Sequence, residues 1–368
     1  MLTVDQKSLL AALSMATKAV EGRVTIPILA CCRIEAHGGT VRIMGSNLDV
    51  WVETECEGEG QLDACCPSAA KLLAAVRAAG AGELRLEERP TGLLMRHGTG
   101  RALLPLLPAN EYPGAQPVEG GGAVKVAAQE LERAIALVEP SISTETARLY
   151  LGGAHLATGR NGVRLAATDG HRLDRVAVAA EADGEVGAII PRQTVKLLRG
   201  LTGDVTLRFA DGRLRARAEG LTITSQLIAG TFPDVDRIIP TVTDPIVSLN
   251  AADLLAALER VAWAADDRDR CVGLRFRPGE SILIWAVRSA GAEGAVVECD
   301  CEALREADIG FGAHYLASLM SRLGGSEIGL YGGASAPCRF VRPGSDDGHV
   351  IMTMRISPYQ PTMGMSDE

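Results

Sequence analysis

Apolar residues recur at helical spacing in three places, each behind a short stretch that reads as a strand. Leu9, Leu10 and Leu13 mark the first, within residues 4–20. Leu131, Ile135 and Val138 mark the second, within 124–138, and Leu254, Leu258 and Val261 the third, within 246–264. Steps of three and four put each set on one face of a helix, so each helix has one buried stripe. After each comes a set of strands carrying a turn, at 33–36 through 45–50, 149–151 through 168–172, and 273–276 through 288–291. A second helix follows at 67–73, 191–198 and 314–320, with Pro67 and Pro191 at two of the starts, where a missing N–H costs nothing. Each unit closes on a hairpin: 83–86 with 92–95, 205–209 with Leu214 across Asp211-Gly212, and 327–330 with 339–340. Asp-Gly between alternating residues is a strong hairpin signal.

The pattern therefore repeats at roughly 120 residues, too long for a solenoid, so each copy reads as a domain. The expected boundaries are 1–121, 122–243 and 244–356, with 357–368 a tail expected to be disordered. Pro-bearing segments at 110–114 and 232–240 match each other as linkers. In each copy the order strand, helix, three strands occurs twice. This predicts an α+β protein of six half-units with helices on one face and sheets on the other.

Composition fits a soluble folded chain: of 368 residues, 47% are hydrophobic and 23% charged. Aromatics are 4%, which leaves Leu, Val, Ile and Ala to fill the cores. No apolar run approaches the roughly 18 residues a membrane span needs, and the first residues carry no export signal. The expectation is a cytoplasmic protein with no membrane partner. Nine cysteines are an odd number. Cys31-Cys32 and Cys65-Cys66 are adjacent pairs that alternate across a strand, and Cys299-x-Cys301 lacks a second pair at zinc spacing. Reduced, buried thiols are expected. A net charge of −9 argues against a nucleic-acid partner unless the positive charge is gathered on one surface.

One polar stretch interrupts the apolar pattern, Thr168-Asp169-Gly170-His171-Arg172-Leu173. Asp169 and His171 invite an acid–base reading, a hydrolase or deaminase with Cys299 and Cys301 as further candidates. No nucleophile with an orienting partner can be placed beside them, so the stretch reads as a structural turn or the wall of a binding pocket. No catalytic residue, metal or cofactor is assigned.

Three copies, the stretch 168–173, Phe232-Pro233-Asp234-Val235 and a terminal 350–356 together resemble the beta sliding clamp of bacterial DNA polymerase III. Residues 25–29, Thr-Ile-Pro-Ile-Leu, are similar to an early motif of that family. The resemblance spans almost the whole chain and implies the DNA-clamp fold, in which a head-to-tail homodimer forms a ring with helices inside and sheets outside. It implies a nucleoid-associated, non-enzymatic processivity factor around double-stranded DNA, held without sequence preference. Such a ring needs positive charge only inside. Arg192, Lys196 and Arg199 share one helical face, Lys71 and Arg77 lie on the matching helix of the first copy, and Lys7 and Lys18 belong to the opening helix. Arg23 and Tyr150 match family positions that approach DNA. Arg101 to Leu104 and the acidic stretch 298–302 are the implied subunit edges.

The resemblance also implies a cleft that takes short linear peptides of the replicative polymerase, the clamp loader and repair proteins. The matching residues are Leu151, Thr168, Gly170, His171, Arg172, Leu173, Pro240, Tyr315, Val350, Ile351, Met352, Met354 and Arg355. Leu, Val, Ile and Met build an apolar trough, and methionines adapt to varied side chains. Three features depart from the family pattern: Thr353 stands in place of proline, Arg270 falls about where an aromatic is common, and the chain continues beyond Ile356. They imply an accessory or specialised clamp with altered partner preference as the alternative reading.

Overall fold

The computed structural model describes residues 1–22, 24–265, 270–287, 294–299, 301 and 303–356. The first copy holds β1 (Leu2–Asp5), α1 (Gln6–Ala16), β2 (Arg33–His37), β3 (Thr40–Ser46), β4 (Val50–Glu57), β5 (Glu59–Gly60) and β6 (Leu62–Pro67). It continues with α2 (Ala69–Ala79), β7 (Glu83–Arg89), β8 (Gly92–His97), β9 (Gly100–Leu104) and β10 (Leu106–Leu107). The second holds β11 (Gly122–Ala127), α3 (Ala128–Val138), β12 (Gly153–Gly159), β13 (Gly162–Thr168), β14 (Arg172–Val178) and β15 (Ala180–Asp183). After these come β16 (Gly187–Pro191), α4 (Arg192–Leu198), β17 (Asp204–Ala210), β18 (Arg213–Ala218) and β19 (Leu221–Gln226). The third holds β20 (Val247–Asn250), α5 (Ala251–Val261), β21 (Cys271–Phe276), β22 (Ile282–Val287) and β23 (Gly294–Cys299). It ends with β24 (Ala307–Gly312), α6 (Ala313–Leu323), β25 (Glu327–Gly333), β26 (Ala336–Val341) and β27 (Gly348–Ile351).

With the short β5, β10 and β15 set aside, the order strand, helix, three strands appears twice in every copy. The correspondence is close: α1, α3 and α5 each span 11 residues and each is followed by a 3₁₀ turn of 3. Capping chemistry starts two of these helices. Asp5 accepts a bond from Ser8 N at 3.1 Å, and Asn250 one from Ala252 N at 2.9 Å, each satisfying a backbone donor that a helix start leaves open. The turn anticipated at 288–291 and the tail 357–368 lie outside the described residues, as does Arg23.

By its contacts the chain groups into two compact units. The first comprises Met1–Glu132, Ala157–Val163 and Ala179–Ala229. It contains a sheet in the order β5-β1-β7-β8-β9 and a ten-stranded sheet, β10-β6-β2-β3-β4-β19-β18-β17-β11-β15. The long sheet is continuous because β4 of the first copy pairs antiparallel with β19 of the second, Val52 opposite Ile223. Leu9 and Leu13 of α1 are fully buried against Ile34, Ile43, Leu72 and Leu84, whereas Leu10 is only partly covered. The cysteines alternate as expected: Cys32 and Cys65 face this core, while Cys31 and Cys66 face a smaller cluster with Ile28, Leu29 and Tyr112. Burial pushes the Cys65 and Cys66 thiols up to about 12, which leaves them inert.

The second unit comprises Arg133–Leu156, Arg164–Val178 and Gly230–Glu368. One of its sheets is β23-β22-β21-β24, and another contains the run β12-β13-β14-β27-β26-β25-β20. Here β14 of the second copy pairs antiparallel with β27 of the third, Leu173 opposite Val350. The scarce aromatics are concentrated in this unit: Phe276, Phe311 and Phe340 are its largest fully buried side chains, and the rings of Phe311 and Phe340 meet at 5.8 Å, tilted by 57°. The third copy's core thus adds three phenylalanines to the Leu, Val, Ile and Ala that the composition pointed to.

Candidate functional site

The stretch between β13 and β14 is a turn built by its own side chains. Asp169 Oδ1 accepts bonds from the backbone N–H groups of His171 and Arg172 at 2.9 and 3.0 Å, and Thr168 Oγ1 accepts one from Gly170 N at 3.1 Å. The first copy repeats this construction between β3 and β4. There Asn47 Oδ1 accepts from Asp49 and Val50, and Ser46 Oγ accepts from Leu48 N. Gly170 has φ +90°, a conformation glycine adopts freely, and Leu48 holds the matching place at φ +77°. The second Asp169 oxygen takes Arg172 Nε at 3.0 Å. Asp169 is therefore committed to shaping the turn, and the acid–base reading of Asp169 with His171 does not describe it.

This turn delivers Arg172 onto an aromatic platform. The guanidinium carbon lies 4.9 Å from the centre of the Tyr315 ring, and Arg172 also donates to the Pro140 carbonyl. Tyr315, on the first turn of α6, is further flanked by His171, with ring centres 6.0 Å apart, and by His314 at 3.8 Å. A cation over a ring face is favourable, and the Asp169 ion pair prevents Arg172 from leaving.

The chain after β27 completes the wall. Met352 N donates to His171 O, and Met354 N to Gly310 O, each at 2.8 Å. Gly312 is where the pieces converge: a Cβ placed there would lie 2.9 Å from Tyr315 Cδ2 and 3.6 Å from both Met354 Sδ and His314 Cε1. Beneath the β14–β27 pairing, Leu173 and Val350 pack with Ile239, the residue before Pro240. Met352 is 41% exposed, so an apolar side chain faces solvent beside the polar rim. Ile351 is buried opposite Arg172, and Leu151 is buried and bonded through its carbonyl to Ser143 N. Arg355 is exposed. All thirteen anticipated cleft residues belong to the second unit. His171, Arg172, Tyr315, Met352 and Met354 are joined through direct contacts and the convergence at Gly312. His314 was missed by the sequence reading; its place immediately before Tyr315 was the available signal.

The basic residues sit on helices of the first unit. Lys71 and Arg77 are exposed on α2, whose buried side is Ala69, Leu72 and Val76. On α4 the side chains of Thr194, Val195, Leu197 and Leu198 are buried, which leaves Arg192 half-buried and Lys196 exposed on the other side, with Arg199 just past the last turn. Arg199 is gripped by the Glu132 carboxylate of α3, Nη2 to Oε1 at 2.7 Å and Nε to both oxygens at 3.0 and 3.1 Å. One of the three α4 cations is therefore matched by a carboxylate that the sequence pattern did not reveal. Tyr150 is half-buried in a 3₁₀ turn of the second unit, beside Leu149, which is 68% exposed. Among the described residues no cluster of three or more His, Cys, Asp or Glu side chains is arranged to hold a metal ion.

The family description "DNA polymerase III beta subunit, N-terminal domain" matches residues 1–116, and the corresponding central domain matches 125–234. The chain is 29% identical to a beta sliding clamp of Caulobacter vibrioides over 96% of this chain and 100% of that one. It is 27% identical to the beta sliding clamp of Pseudomonas aeruginosa, over 96% and 99%. Among solved structures it is similar to the P. aeruginosa DnaN sliding clamp bound to griselimycin, with TM-score 0.91, 25% identity and coverage of 96% and 99%. It is also similar to the Caulobacter crescentus pol III beta structure, with TM-score 0.86, 28% identity and coverage of 96% and 100%.

Proposed function

The chain belongs to the family of the bacterial DNA polymerase III beta subunit, the beta sliding clamp, and from that premise we propose that two copies close head to tail into a ring around double-stranded DNA. The protein is a non-catalytic processivity factor: it tethers a polymerase to its template. In this reading residues 1–121, 122–243 and 244–356 are three clamp domains, their helices lining the hole and their sheets forming the rim. The ring works on DNA in the bacterial cytoplasm, at the nucleoid. Among the described residues no helix is long and apolar enough to cross a membrane.

The observation that carries ring closure is the pattern of sheet joints. The third strand of one copy's first half pairs with the last strand of the next copy's second half, as β4 does with β19 and β14 with β27. Continuing the series, β23 calls for β9, and within the described chain both are sheet edges. A second copy of the chain supplies each missing neighbour. Leu103 on β9 is 51% exposed, an apolar residue on an edge strand that a partner would cover. Sedimentation of the wild type and of Leu103→Glu tests this: a dimer that the substitution converts to monomer supports the joint, and an unaffected oligomeric state contradicts it.

Inside such a ring Lys71, Arg77, Arg192, Lys196 and, once released from Glu132, Arg199 face the phosphates, with Arg23 and Tyr150 as further contacts. Phosphate contacts carry no sequence information, which suits a tether that slides. Enclosure supplies retention, so each contact is weak. The trough around Tyr315, Met352 and Met354 is the docking place for short linear peptides of the replicative polymerase, clamp loader and repair proteins, with His171 and Arg172 fixing register.

A further inference from the structure

The outward face of β17 and β18 carries a line of arginines that the fold does not use. Arg213, Arg215 and Arg217 occupy every second position of β18, around the buried Leu214 and Ala216, so they share the face turned away from the core. Arg208 of β17 stands directly opposite Arg215, and like charges placed in this way oppose strand pairing. Arg208 donates to the Gly120 carbonyl at 3.1 Å. Among the described residues Arg213, Arg215 and Arg217 make no side-chain hydrogen bond or ion pair. Their other partners in register are Thr206, Ala210, Thr222, Thr224 and Gln226, none of them charged, and Lys125 stands beyond Thr206. Carboxylates stand at the margin: Asp211 and Glu219 in the exposed turns at either end of β18, Glu119 on the approach to β11, Glu53 beyond Thr222 and Asp183 beyond Ala123.

We infer that this arginine face is a docking surface for an acidic protein segment held extended, with aspartate or glutamate at every second residue. Side chains two apart on a strand are spaced about 6.8 Å, and an extended segment lying along β18 presents alternate carboxylates at that same repeat. Each carboxylate meets one guanidinium, whose planar fork donates two parallel bonds to it. Single-stranded nucleic acid carries a similar charge, but it is held by stacking its bases on aromatic rings. Among the described residues this face offers no such ring: Trp51, opposite Thr224, is 7% exposed and its Nε1 is bonded to Pro113 O at 3.1 Å. In a chain of net charge −9 an open positive face steers acidic partners toward itself. A bound carboxylate also relieves the repulsion between Arg208 and Arg215. These arginines belong to the first unit and none of them to the peptide trough, so the inference does not rest on the trough or on ring closure.

The test uses the full chain and three fluorescent probes: a peptide alternating glutamate with serine, a peptide of the same composition with its glutamates in one block, and an oligo-dT strand of equal charge. Anisotropy titrations compare the wild type with Arg213→Gln, Arg215→Gln and Arg217→Gln. The alternating peptide is expected to bind the wild type about fivefold more tightly than the blocked one, and to lose about fivefold in each variant, the scale of one partly exposed charge pair. Its binding weakens with added salt. The thermal midpoint of Arg215→Gln should equal or exceed that of the wild type, because the repulsion from Arg208 is gone, so the lost affinity is not a lost fold. No binding of the alternating peptide, or binding that all three variants retain, overturns the inference. An oligonucleotide that binds more tightly than the peptide and weakens in the same variants overturns the choice of partner, and the proposal with it.

Discussion

Asp174 and His349 face each other across the β14–β27 joint, with the His349 Nδ1 and a carboxylate oxygen 2.7 Å apart. The same carboxylate accepts Ser141 Oγ at 2.6 Å and Arg322 Nη1 at 2.8 Å, and Arg322 also donates to the Leu137 carbonyl. A buried charge is tolerated only when paired and fully bonded. Replacing Asp174 by alanine leaves the largely covered Arg322 guanidinium without its counter-charge. Asp174→Ala is expected to destabilise the second unit by about 3 kcal/mol, read from denaturant unfolding. The β14–β27 pairing also carries the cleft wall, so peptide affinity falls with it.

The same carboxylate sets an acid limit. Burial raises its pKa, but the Arg322 charge and the bonds from His349 and Ser141 outweigh this and bring it down to about 2. The folded value lies below the unfolded one. The contribution is therefore complete above the unfolded value near 4 and is lost as pH falls through about 2, an effect of about 2 kcal/mol. Stability measured from pH 5 down to pH 2 should drop across this window in the wild type. The drop should be shallower in Asp174→Asn.

Arg199 gives the clearest handle on DNA grip. Glu132→Gln removes the negative charge that holds it, so binding to duplex DNA should strengthen. The slope of log affinity against log salt should steepen by about one, the signature of one more phosphate contact. Arg199→Gln in the same background should return both to the parental values.

Tyr315→Ala removes the ring under the Arg172 guanidinium and one side of the trough. Peptide affinity is expected to fall at least about tenfold, about 1.4 kcal/mol. Far-UV circular dichroism should stay unchanged, because Tyr315 is only half-buried. Lost secondary structure would assign the residue to the core instead.

How much of this was legible depends on the range of the interaction. Local signals served well: the Leu9/Leu13 and Leu254/Leu258 stripes became buried helix faces, and Asp211-Gly212 became a hairpin turn with both residues at positive φ. The β4–β19 and β14–β27 joints were invisible, because they pair residues far apart in sequence and nothing in a strand's alternation names its neighbour. Nothing local marks Asp174 as a buried residue. It is buried because His349 and Arg322 reach it from the third copy, which no local pattern encodes. Glu132 hid in the same way, as an ordinary polar position on a helix until Arg199 came beside it. Tyr315, Met352 and Met354 were found through family resemblance; spacing alone did not single them out. His314 escaped because the resemblance pointed only to its neighbour Tyr315.

Retention by enclosure is read from survival on DNA with and without free ends. The protein is loaded onto nicked circular DNA by a bacterial clamp loader with ATP, separated from unbound protein by gel filtration, and the DNA is then cut once. An enclosing ring should co-elute with the circle even at salt concentrations that abolish simple electrostatic binding, and be lost after linearisation. Equal retention on circular and linear DNA, or release from both by salt alone, would contradict it.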